Sequence, residues 1–152
     1  MTSSRGRTPE IPEGFHPISD SQFDALTGPF HMASPENGRY RLGLYAEERH
    51  CNSVGIIHGG MLMTMIDETM GTAAKLASKH QCCTVSMNCD FIAPAQVDAW
   101  LECVAVPRRV GKTTVFINAE LFSSNHLVMT ASGVFKVLTP VTDEQLARDF
   151  IL

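Results

Sequence analysis

Residues Met61 to Lys79 read MLMTMIDETMGTAAKLASK, and this stretch decides the fold. It contains no proline, and Leu62, Met65, Ile66, Thr69, Met70, Ala73 and Ala77 recur at the spacing of one helical face. One long helix is predicted, about 28 Å long at roughly 1.5 Å per residue. Upstream, Ser19 and Gln22 fit a capping box for a short helix over Asp20 to Thr27, which Gly28 stops. Phe30 to Ala33 and Arg39 to Ala46 flank the turn-rich SPENG and predict a hairpin, with Tyr40, Leu42, Leu44 and Ala46 on one face. Glu47 to Gly60 has no sustained period. Downstream from Thr84 the pattern alternates, with Val85, Met87, Cys89 and Phe91 facing one way and Thr84, Ser86, Asn88 and Asp90 the other. Three further strands, about Val97 to Val106, Thr113 to Phe122 and Leu127 to Leu138, are separated by APAQ, RRVGK and SSNH. Thr142 and Gln145 suggest a second capping box, opening a short helix that includes Leu146 and Phe150. The order predicts a single α+β domain, one helix packed on an antiparallel sheet, over 19–152, preceded by a flexible segment 1–18.

Composition narrows the function classes. A chain of 152 residues, 44% hydrophobic, suffices for one core and not two. A net charge of -4 without a basic run argues against nucleic acid as a partner. The polar, proline-rich start MTSSRGRTPEIPEGFHP lacks an apolar segment of membrane length, so a soluble cytoplasmic protein with no membrane partner is expected. Five cysteines without a C-x-x-C pair read as reduced and mostly buried thiols. His50, Cys51 and His58 match no standard zinc spacing, so no metal is expected.

The chemistry concentrates in His50 to Gly71, HCNSVGIIHGGMLMTMIDETMG. His58, Gly59 and Gly60 stand where an irregular segment meets the helix. The first backbone N–H groups there lack intrahelical acceptors and point out at a positive dipole end, which suits an oxyanion. The two glycines by themselves also fit a tight entry turn or close helix packing. Asp67 lies seven residues beyond Gly60, on nearly the same face, with Met63 and Thr64 nearby. A carboxylate in an apolar helix is either solvated or held as a base or nucleophile in a partly dry site. Glu68 lies about 100° around the helix, so one of the two acids is expected to face the site, and Asp67 is chosen.

The run N-x-x-G-x-x-H-G-G, Asn52 to Gly60, followed by an acid nine residues after the histidine resembles the hotdog-fold acyl-CoA thioesterases of the phenylacetate-pathway and human thioesterase superfamily type. The resemblance spans nearly the whole chain, from Gly28-Pro29-Phe30 to the last strand. It implies hydrolysis of an acyl-coenzyme A, with Asp67 as general base or nucleophile and the Gly60 N–H polarising the carbonyl. His58 and Asn52 become supporting hydrogen-bonding groups, and Gly59, Met63 and Thr64 substrate contacts. Thr84 lies near the position where relatives place a hydroxyl that orients water, after a connection shorter by one residue. No separate cofactor is implied, since coenzyme A is part of the substrate.

Gly60 and Asp67 on one straight helix are about 10 Å apart along its axis, whereas reacting groups converge to about 3 Å. The resemblance implies a homodimer, further paired as a dimer of dimers, in which Gly60 of one subunit faces Asp67 of the other. Arg108, Arg109 and Lys112 form the densest basic feature of the later chain and are candidates for the coenzyme A phosphates, or a solvated hairpin. Two other classes stay open: a catalytically silent acyl-CoA-binding protein, and a dehydratase of the same architecture, which the H-G-G entry fits poorly.

Overall fold

The computed structural model describes residues 10–18 and 21–149. Its elements run β1 (Phe15–Pro17), α1 (Gln22–Thr27), β2 (His31–Glu36), β3 (Arg39–Tyr45), a one-turn 3-10 helix (Glu48–His50), α2 (Gly59–Ser78), β4 (His80–Phe91), β5 (Trp100–Val110), β6 (Thr114–Ser123), β7 (His126–Pro140) and α3 (Asp143–Asp149). All neighbouring strands pair antiparallel in one sheet of order β1-β2-β3-β5-β6-β7-β4. The α2 helix packs against β3 to β7, giving the expected hotdog arrangement of one helix wrapped by a sheet. Within the segment expected to be flexible, Phe15–Pro17 forms β1 and pairs with His31, Met32 and Ala33.

The α2 helix begins two residues before the apolar run, with His58 as its N-cap, and ends where Lys79 turns left-handed at φ 57°. That residue sends the chain directly into β4. The helix buries Met61, Leu62, Met65, Ile66, Thr69, Met70, Ala73 and Ala74, the i, i+1, i+4, i+5 stripe of a helix lying on a sheet. Each fully buried Met, Leu or Ile contributes about 1.5–3 kcal/mol. Two glycines open room for large rings. A methyl on Gly43 would lie 1.9 Å from the Trp100 indole, and one on Gly133 would lie 3.0 Å from Phe135 and 3.1 Å from Met70.

Four expectations are corrected. The box at the first short helix is Ser21 with Asp24, each side chain bonding the other's backbone N–H at 3.1 Å; Ser19 lies outside the described residues. Arg108 and Arg109 belong to β5 rather than to a turn, because β5 bulges between Pro107 and Arg109 and runs on to Val110. Only Cys103 among the five free cysteines is buried. The fourth correction concerns β4, which starts at His80 and carries a bulge: Thr84 faces Phe135, Ser86 faces Val134, and Val85 is the extra residue. The bulge exchanges the two faces of the strand. Thr84 therefore points inward as Met87 and Cys89 do, whereas strict alternation sends it outward.

The other turns follow residue chemistry. Asn37-Gly38 and Ser124-Asn125 each place two residues at positive φ, the two-residue hairpin geometry that matches strand twist. Thr142 and Gln145 make the capping box expected for α3, at 2.9 and 3.2 Å, while Phe150 lies outside the described residues. No helix among the described residues is long and apolar enough to cross a membrane.

Candidate active site

Asp67 opens into a cleft of about 480 Å³ between α1, α2 and β4, shared with Glu68, Asp24, Lys75 and Thr84. The inward turn of Thr84 lets its hydroxyl donate to Asp67 Oδ1 at 2.7 Å, across 17 residues of sequence. That hydrogen bond fixes the orientation of the carboxylate. Asp67 is half-buried, so it is oriented without being shut off from solvent.

Both acids of the Asp67-Glu68 pair line the cleft, where one was expected to face away. Burial pushes the Glu68 carboxyl up to about 7, helped by the neighbouring negative charges of Asp24 and Asp67. Sequence reasoning passed over Asp24, although Ser21-Gln22-Phe23-Asp24 carries the capping-box spacing that places it. Cys89 is also raised, chiefly by burial and then by the charges of Asp90 and Asp67.

The second cluster lies at the start of α2. His58 Nδ1 accepts the Gly60 N–H at 2.8 Å, and the His58 backbone N–H donates to the His50 carbonyl at 2.8 Å. His50 is buried. Its Nδ1 accepts the Glu47 N–H, and burial, followed by the Arg49 charge, lowers its pKa. Gly59 is the first helical residue, so its N–H has no intrahelical acceptor. A methyl on Gly59 would lie 3.1 Å from Phe91, so the missing side chain lets that ring close over the helix start. Thr64 donates its hydroxyl to the Gly60 carbonyl at 3.0 Å, and Met63 is exposed.

Asn52 serves the loop itself. Its side-chain oxygen accepts the N–H groups of Val54 at 2.9 Å and Ile56 at 3.4 Å, and its backbone N–H reaches the Ile56 carbonyl at 2.8 Å. That hairpin-like loop, closed by a Cys51–Ile57 bridge, delivers His58 to the helix. Within one chain, His58 and Thr64 open onto a different hollow from the cleft of Asp67 and Thr84. Arg108 lines a groove with Asn88, Asn118 and Glu120 on the sheet face turned away from α2, and Lys112 stands exposed in the following turn.

A family model described as the thioesterase superfamily matches residues 54–130, just over half of the chain, spanning His58 to Thr84. A protein of Pseudomonas aeruginosa carrying a provisional esterase name is 35% identical over 128 residues, covering 82% of this chain and 96% of that one. Acyl-coenzyme A thioesterase 13 of Homo sapiens is 28% identical over 113 residues, covering 73% of this chain and 80% of its own length. A solved structure from Ralstonia eutropha, described provisionally as a thioesterase related to phenylacetic acid degradation, superposes with a TM-score of 0.71 at 25% identity, covering 78% and 92% of the two chains. Motif, fold and relatives agree: this chain belongs to the thioesterase superfamily and has the hotdog fold.

Proposed function

We propose that this protein hydrolyses acyl-coenzyme A to a free acid and coenzyme A, with Asp67 as the reacting carboxylate. The observation that carries the reading is the Thr84 hydroxyl on Asp67 Oδ1 at 2.7 Å, beside an open cleft. In one route Asp67 takes a proton from water, the hydroxide adds to the thioester carbonyl, and the C–S bond breaks to release thiolate. In the other, Asp67 attacks the carbonyl and expels thiolate, and water then hydrolyses the mixed anhydride. Negative charge on the carbonyl oxygen falls to backbone N–H groups at the start of α2. The Gly60 N–H serves if His58 Nδ1 yields or shares it, and the neighbouring Gly59 N–H lies at the same helix end.

These donors and Asp67 are brought together across a homodimer. Seven helical residues separate Gly60 from Asp67, about 10 Å, and the two ends open onto different hollows of one chain. The 12-residue edge strand β4, with Val85 and Phe91 exposed, supplies an unpaired edge for joining two sheets. Pairing of such dimers through the outer sheet face would cover the Arg108 groove, with Arg108, Arg109 and Lys112 as phosphate contacts. The free thiols are in keeping with the cytoplasm.

Thiol release over a panel of aromatic, medium- and long-chain acyl-coenzyme A substrates tests the reading. Wild type is expected to release thiol and Asp67→Asn to lose nearly all of it. Binding without release would show a silent acyl-CoA-binding protein instead. Oxygen-18 from water appearing in Asp67 after one turnover would identify the anhydride route. Mixing Asp67→Asn subunits with Gly60→Pro subunits is expected to restore part of the activity, and a monomer with full activity would overturn the composite site.

A further inference from the structure

The one buried residue of α1 is an acid. Its apolar side chains Phe23 and Leu26 are 53% and 74% exposed, while Asp24 is 7% exposed. A short helix ordinarily rests on a protein through an apolar stripe; this one rests through a carboxylate. Asp24 Oδ2 accepts the Ser21 N–H, and Asp24 Oδ1 is shielded from solvent without a hydrogen-bond partner among the described residues. A buried acceptor left in that condition is destabilising unless a donor is supplied. At the far end of α1, Arg49 donates to the carbonyls of Leu26 and Gly28.

We infer that Glu68 supplies that donor, so that a Glu68–Asp24 carboxyl pair sharing one hydrogen holds α1 as a wall of the Asp67 cleft. Both acids line this cleft from different elements, Asp24 from α1 and Glu68 from α2. Two carboxyl groups lining one cleft repel each other when both carry charge, and a shared proton removes the repulsion and satisfies Oδ1 in the same step. The raised affinity of Glu68 for its proton agrees, with Asp24 the larger of its two charged influences. The other titratable groups around the cleft are Asp67 and Lys75 on α2 and Cys82 and Cys83 on β4; Met32 from β2 and Phe135 from β7 are neutral. As pH rises through about 7 the proton passes to solvent, two carboxylates face each other, and α1 loosens at its Asp24 end. Glu68 is thus a positioning residue, acting on the acyl side of the cleft through α1.

The inference rests on the thioesterase reading for its effect on substrate, and hydrogen exchange tests it without any turnover. In the full-length protein, exchange of the α1 amides, corrected for intrinsic rates, is expected to lose about tenfold in protection between pH 6 and pH 8.5, the worth of one charge-assisted hydrogen bond. Glu68→Gln, whose amide donates to Asp24 at every pH, is expected to keep that protection flat; Glu68→Ala is expected to lose it throughout. In thiol release, wild-type KM should rise over the same interval while kcat holds, and Glu68→Gln should flatten KM. Equal wild-type protection at both pH values, or a pH-dependent loss in Glu68→Gln equal to wild type, would overturn the carboxyl pair. Should no substrate be hydrolysed while exchange follows the expected course, the pair stands and the thioesterase reading falls.

Discussion

The Thr84 hydroxyl donates to Asp67 Oδ1 at 2.7 Å, joining the edge strand β4 to the middle of α2. This bond holds one lone pair of the carboxylate and leaves Oδ2 to meet water or a carbonyl carbon. Replacing Thr84 by Val keeps shape and removes the donor. Thr84→Val is expected to lower kcat/KM about 10- to 100-fold, the range of a hydrogen bond to a charged group. Thr84→Ser should retain most activity; a fully active Thr84→Val would remove the hydroxyl from the mechanism.

His58 caps α2 through Gly60, satisfying one of the four N–H groups the helix leaves open. His58→Ala is expected to cost about 1 kcal/mol of stability, read by urea unfolding, and His58→Asn to recover much of it.

Glu68 binds its proton more tightly folded than unfolded, since its carboxyl is raised from the ordinary 4.5 to about 7. The stability it contributes is complete below about 4.5 and is lost as pH climbs toward and through about 7. Discounted for solvent screening of a half-buried group, the loss is about 1 kcal/mol. Glu68→Gln should therefore gain on wild type in melting temperature at pH 8.5 relative to the comparison at pH 4.5. An unchanged difference between these pH values would show that Glu68 is not held neutral.

Trp100 packs against Gly43, where an added Cβ would overlap the indole at 1.9 Å. Gly43→Ala should cost about 3 kcal/mol through overpacking, measured by denaturant unfolding. Adding Trp100→Leu should return part of that cost, because the two changes share one space. Additive effects would place the strain elsewhere.

The helix was legible in residues 61–79 because one face of it is almost wholly apolar, and such a face can only be satisfied against a sheet. Its entry was legible too, since H-G-G at a helix start carries its own backbone chemistry. Asp67 stood out as an acid in an apolar run. Glu68 was equally visible, but a choice by helix angle alone sent it away from the site. The cleft is wide enough around the helix, and α1 near enough, that both acids face it.

What the sequence by itself determined is the hairpin, the long helix, the four later strands with their antiparallel sense, and the acid at 67, because those rest on local period, on turn residues and on the cost of charge in an apolar stripe. Only the tertiary structure decided which residues meet Asp67. A single extra residue at Val85 turns Thr84 inward, and a bulge leaves no mark on hydrophobic alternation that distinguishes it from an outward polar position. Likewise only packing brought Asp24 and Glu68 to the same cleft. Their shared placement depends on where α1 lies relative to α2, a relation carried by contacts distant in sequence and absent from any local pattern.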